Sequence, residues 1–68
     1  MDKKITFLYS IARNGRTFQK EETYKCNLLF VTMMDAVAYY TLELVTGDII
    51  TVPDSAVIIT NAMLNRIS

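Results

Sequence analysis

The chain has no histidine and no tryptophan, and it holds one cysteine, one proline and two glycines in 68 residues. Each scarcity closes off some chemistry. Without histidine, the commonest general base is missing. Cys26, the lone thiol, cannot form an intrachain disulfide. With no imidazole beside it, it cannot supply the sulfur and nitrogen shell that structural zinc requires. Gly15 and Gly47 each fall where a turn needs them, so no glycine-rich loop is left to cradle a phosphate. Of the seven carboxylates, only Glu21 and Glu22 are neighbours, and on a strand adjacent side chains point to opposite faces. Cys26 as a nucleophile would need a base or a positive field to form its thiolate. Lys25 is its neighbour in sequence, but strand geometry turns it the other way, leaving Cys26 as a small buried apolar residue. No enzyme, cofactor or metal site is expected.

What the chain does have is apolar material, at 51% of residues. A body this small hides only about 60% of its extended surface on folding, so the excess predicts self-association into a homo-oligomer. A single free thiol fits a reducing compartment, and the expected location is cytoplasmic. The apolar stretch behind Lys3 and Lys4 is short and stops at Ser10 and Arg13, unlike a leader peptide. The run from Leu28 to Val45 is broken by Asp35 and Glu43 and is no membrane span. Net charge is zero, yet Lys3, Lys4, Arg13, Arg16, Lys20 and Lys25 crowd the first third, while Asp35, Glu43, Asp48 and Asp54 lie beyond it. Such a dipole suits a charged partner or head-to-tail packing.

The clearest local pattern is YYTLELVTGDIITVP. Tyr40, Leu42 and Leu44 alternate with Thr41 and Glu43, and Ile50 and Val52 alternate with Thr51, giving two half-buried strands. Partners across a hairpin share a face, so setting Leu42 and Leu44 beside Ile50 and Val52 demands an odd loop. Val45-Thr46-Gly47 supplies it, with Gly47 left-handed. Pro53 cannot donate to a ladder and interrupts the pattern at Pro53-Asp54-Ser55. Ala56 to Thr60 is then a last strand, with Asn61 capping a helical turn over Ala62 to Ile67. The rival is one helix from Asp54 or Ser55 onward.

Toward the N-terminus, Ile5, Phe7, Tyr9 and Ile11 share a face if the segment is a strand. Asn14-Gly15 is then a type I′ turn into Arg16–Cys26, with Phe18 and Tyr24 on that face and the far end of the hairpin projecting beyond the core. Read as a helix, Asp2 caps it and Gly15 ends it; the β-branched and aromatic content favours the strand. LLFVTMM at residues 28–34 is a nearly continuous apolar run, the mark of an element buried on both sides. Asp35-Ala36 turns the chain after it. Met33 and Met34 fall at the end of this run, as core or subunit-interface residues.

Residues 1–68 therefore read as a single small β-rich domain: a small barrel or curled antiparallel sheet of five or six short strands, with a short C-terminal helical turn. GDIITVPDSAVII resembles the end of SH3-like barrels, where a hairpin leads through a proline-containing 3₁₀ turn into a short final strand. The resemblance implies a fold and carries no ligand site with it.

By function, the chain reads as an interaction or regulatory protein that binds a protein partner with an acidic surface. A chain of this size is also of the kind that phages and mobile elements use to inhibit host proteins. The partner-binding candidates are Arg13, Asn14, Arg16, Lys20 and Tyr24, displayed on the basic N-terminal hairpin. The alternative is a nucleic-acid-binding small β-barrel using the same residues, since cations beside stackable aromatics are how such folds hold single strands. Against it stands a pI near 6.1, far from the basic footprint of that class.

Overall fold

A computed structural model describes residues 1–61. It is mainly β, as expected, with seven strands in place of five or six: β1 (Lys3–Phe7), β2 (Ile11–Arg13), β3 (Arg16–Phe18), β4 (Thr23–Met34), β5 (Val37–Leu44), β6 (Ile49–Pro53) and β7 (Val57–Asn61). Five form one antiparallel sheet in the order β6-β5-β4-β1-β7, while β2 and β3 make a separate two-stranded ribbon. No hydrogen-bonded ladder joins β6 to β7 among the described residues, so the sheet is open. No helix among them is long and apolar enough to cross a membrane.

The β5–β6 hairpin has the expected register. Leu42 faces Ile50 and Tyr40 faces Val52, and the Leu44 N–H donates to the Asp48 carbonyl at 2.8 Å to close a loop of Val45-Thr46-Gly47. Gly47 has φ +94, a conformation that a Cβ would strain. Alternation therefore buries Leu42, Leu44, Ile50 and Val52 on one face. After Pro53 a 3₁₀ turn spans Asp54–Ala56, and β7 runs antiparallel to β1. That settles residues 57–61 as strand and removes the single-helix alternative there. The helical turn expected over Ala62 to Ile67 lies outside the described residues.

The N-terminal third is strand rather than helix, but it is not one long hairpin. β1 ends at Phe7 and turns its two edges to β4 and β7. Leu8 to Ser10 then lead away, so Tyr9, expected on the core face, is 60% exposed. Ile5 and Phe7 remain fully buried. Phe18 of β3 comes back beneath them, its ring stacked on Phe7 at 5.1 Å between centroids, with Tyr24 set edge-on to both. Burying aromatics of this size contributes about 1.5–3 kcal/mol each, and they pull the β2–β3 ribbon onto the body. The expected projection of this hairpin is thus overturned, because Phe18 and the half-buried Ile11 both pack on the core.

The opposite correction applies to residues 28–34. A continuous apolar run was expected to be buried on both sides, yet Leu29, Phe30, Val31, Met33 and Met34 are 45–64% exposed. β4 is 12 residues long, and β1 covers it only from Thr23 to Cys26. Past that point β4 and β5 run on as an arm, flanked by β6 on the β5 side as far as Tyr39 and two-stranded only at Met33–Met34 and Val37–Ala38, and the long axis of the molecule reaches 39 Å. Asp35-Ala36 does turn the chain at the tip, with φ values of 51 and 64.

Candidate interaction surface

Two sheet edges bear on how this molecule meets others, and they are finished differently. Alternation along β6 aims the carbonyls of Ile49 and Thr51 away from β5, because the neighbouring Leu44–Asp48 contact fixes which residues point inward. The β2–β3 tip covers both. The Arg13 Nε–H donates to the Thr51 carbonyl at 2.9 Å, and the Asn14 side-chain amide donates to the Ile49 carbonyl at 2.8 Å. Asn14 and Gly15 have φ values of 53 and 75, the left-handed pair that a type I′ turn requires. Arg13 and Arg16 face each other across this turn, and each of the two cations is engaged elsewhere. Arg16 pairs with Asp48 at 3.2 Å, while Arg13 also donates to the Ala12 carbonyl.

The five residues singled out from sequence therefore lie on or beside one ribbon but do not form one open surface. Arg13, Asn14 and Arg16 reach inward to β6 and its loop. Lys20 is exposed at the turn before β4. Tyr24 is half-buried against Phe7 and Phe18, and its hydroxyl donates to the Glu22 carboxylate at 2.9 Å. Glu22 also accepts the Gln19 N–H at 2.9 Å. That backbone bond, more than the tyrosine, holds the Glu22 carboxyl below its ordinary pKa. Its own bond to the Glu22 carboxylate pushes the Tyr24 phenol up.

Cys26 lies on the core face opposite Leu44 and is fully buried. Burial pushes its thiol above the ordinary value, outweighing the pull of Lys3. It packs as a small apolar group.

The second edge belongs to the arm. Residues 28–42 carry one charge, Asp35, at the tip. A bulge between Leu28 and Phe30 shifts the register, after which Phe30 faces Thr41, Val31 faces Tyr40, Thr32 faces Tyr39, Met33 faces Ala38 and Met34 faces Val37. Paired residues share a face, so one side of the arm presents Phe30, Met34, Val37 and Tyr39. The other continues the core face outward as Val31, Met33 and Ala38. Both sides are mainly apolar, and Phe30, Val31, Met33 and Met34 are each about half exposed or more.

Sequence reasoning reads this run as buried on both sides, with Met33 and Met34 as core or subunit-interface residues, whereas the fold leaves most of it exposed. Strand length is what leaves it uncovered by β1, which has five residues to set against the 12 of β4. No family model, curated protein or solved structure matches the chain, so its own residues carry the functional reading.

Proposed function

We propose that this protein is a non-enzymatic interaction module that acts by binding, and so regulating or inhibiting, a protein partner through the apolar β4–β5 arm. The observation that carries the reading is the arm itself, a mainly apolar ribbon that runs past the end of β1 with Phe30, Val31, Met33 and Met34 exposed. Such patches mark protein contact, and methionines such as Met33 and Met34 adapt to irregular partners. This moves the expected contact away from Arg13, Asn14 and Arg16, whose side chains are occupied within the fold.

We also read the sheet as an open relative of the SH3-like barrel. Three features support this: the β2–β3 ribbon lies between β1 and β4, a 3₁₀ turn precedes the last strand, and the ribbon tip bonds across to β6.

The test is capture from the native host's lysate with the wild-type chain and with a Phe30→Lys, Met34→Lys variant, assayed for protein and for nucleic acid. Loss of a captured protein in the arm variant is the expected result. Equal capture by both chains overturns the arm as the site. Capture of nucleic acid that weakens steeply between roughly 50 and 200 mM salt, and is lost in an Arg13→Ala, Arg16→Ala variant, replaces this reading with the nucleic-acid one.

A further inference from the structure

We infer that the open edge of β4 in the arm pairs with the same edge of a second copy, making an antiparallel β4–β4 junction across a two-fold axis at Thr32. The proposal rests on the arm as the interaction surface and specifies one of its occupants.

The argument begins with where the main chain points. A two-residue hairpin loop is closed by a hydrogen-bonded pair, here Met34 and Val37 around Asp35-Ala36. Alternation then aims the N–H and C=O of Met34, Thr32 and Phe30 at β5, and those of Val31 and Met33 away from it. The β5 side agrees. Leu44 bonds to Asp48 in the direction of β6, and Val45 bonds to Lys25 in the direction of β4, so residues along β5 alternate as this assignment requires. β1 has ended by this point, its first partner on β4 being Cys26. Val31 and Met33 thus present main-chain donors and acceptors with no neighbouring strand among the described residues.

Edge strands of soluble proteins are normally protected by a charge, a proline, a cover or a strong bulge. β6 has its cover in Arg13 and Asn14. From Phe30 to Met34, the part of β4 beyond its bulge, there is no charge and no proline. Among the described residues, therefore, nothing protects the stretch against the partner every solution of this protein contains.

The segment also fits itself. In an exact two-fold antiparallel pair, facing residues must lie on the same side of the sheet, so their numbers must add to an even sum. Centring on Thr32 meets that rule. Phe30 then faces the second copy's Met34 on one side, Val31 faces its Met33 on the other, and the two Thr32 hydroxyls meet at the axis. Thr–Thr and apolar cross-strand pairs are both favourable. The residues that exchange main-chain bonds in this register are Val31 and Met33, the two whose groups are bare.

Charge agrees as well. Each Asp35 falls opposite Leu29 of the other copy, so the two carboxylates sit at opposite ends of the junction, roughly 20 Å apart along the strand. That spacing exceeds the screening length at physiological salt. The joined arms are held by main-chain bonds and by the facing side chains along the edge. Their two faces remain open to a further partner.

The test is mass by sedimentation equilibrium over micromolar to millimolar concentration, with circular dichroism as the fold check. Wild type is expected to move from monomer to dimer. Met33→Pro removes an outward N–H and leaves the β4–β5 ladder intact, so it is expected to remain folded and weaken association at least tenfold. Thr32→Lys keeps every main-chain group but sets two lysines together at the axis, and is expected to do the same. A wild-type chain that stays monomeric at millimolar concentration overturns the junction. So does a dimer of unchanged affinity in a folded Met33→Pro or Thr32→Lys chain. If wild type is monomeric yet the Phe30→Lys, Met34→Lys variant still loses the captured protein, self-pairing fails while the arm reading stands.

Discussion

The molecule carries two ribbons that end in a two-residue turn, and their fates are opposite. The β2–β3 ribbon is rich in polar and basic groups, yet it lies folded on the body. The distal β4–β5 ribbon is almost wholly apolar, yet it stands clear. The difference follows from what each can reach. Phe18 and Ile11 anchor the first ribbon to the core, and Arg13, Asn14 and Arg16 find acceptors along β6. The second ribbon runs past the end of β1 and keeps β6 beside it only as far as Tyr39, so its outer side chains have little of the described chain to meet. Polarity alone does not decide burial in a domain this small; the reach of neighbouring strands does.

The most severe way to break the comparison is to truncate one aromatic on each ribbon. Phe18→Ala is expected to cost about 3–5 kcal/mol, comparable to the whole margin of a small domain. Phe30→Ala is expected to stay within about 0.5 kcal/mol when measured in denaturant titrations dilute enough to hold the monomer. Similar losses at both sites would mean that the arm is packed after all.

A smaller effect separates the two edges. Arg13→Ala removes the bond to the Thr51 carbonyl and is expected to lower stability by about 1 kcal/mol. Lys20→Ala, at an exposed position, is expected to change it imperceptibly in the same titration. The Arg13 variant should also aggregate faster in turbidity assays, because it bares the β6 edge.

The two tips give a prediction of opposite sign. Gly15 and Ala36 both have left-handed backbones, which a Cβ opposes. Gly15→Ala is expected to destabilise the chain by up to about 1 kcal/mol, and Ala36→Gly to stabilise it by several tenths of a kcal/mol once the added freedom of glycine is offset. Thermal melts of the two variants should move in opposite directions.

The smallest effect concerns the junction of the first ribbon with β4. The Glu22 carboxyl titrates below its ordinary value because the Gln19 N–H and the Tyr24 hydroxyl bond to its charged form. Its contribution is therefore present above the unfolded carboxylate pKa of about 4.3 and is lost as pH falls through the lower folded value. Glu22→Gln should flatten the acid limb of the stability profile by a correspondingly small amount.

Much of the fold was legible because it rests on local rules. The alternation of Leu42, Leu44, Ile50 and Val52 fixed the β5–β6 register and its odd loop, and Asn14-Gly15 and Asp35-Ala36 marked their turns. Pro53 marked the break before the last strand. Less legible was anything that depends on which strand stops first. Tyr9 keeps the period of Ile5 and Phe7, but the chain leaves the sheet before reaching it. Residues 28–34 have the pattern of a doubly covered strand, and no local rule shows that β1 is too short to cover them. Arg13 and Asn14 looked displayed because their acceptors, the carbonyls of Thr51 and Ile49, are 38 and 35 positions away in the chain and leave no trace in side-chain type.

The contrast between a covered and an uncovered edge is tested most directly by amide hydrogen exchange at Val31 and Met33 across a concentration series. Both amides are expected to exchange at nearly unprotected rates in dilute solution and to gain protection as concentration rises, while Thr32, bonded to β5, is protected throughout. Protection of Val31 and Met33 that is independent of concentration, or exchange that stays fast at every concentration, would contradict the account.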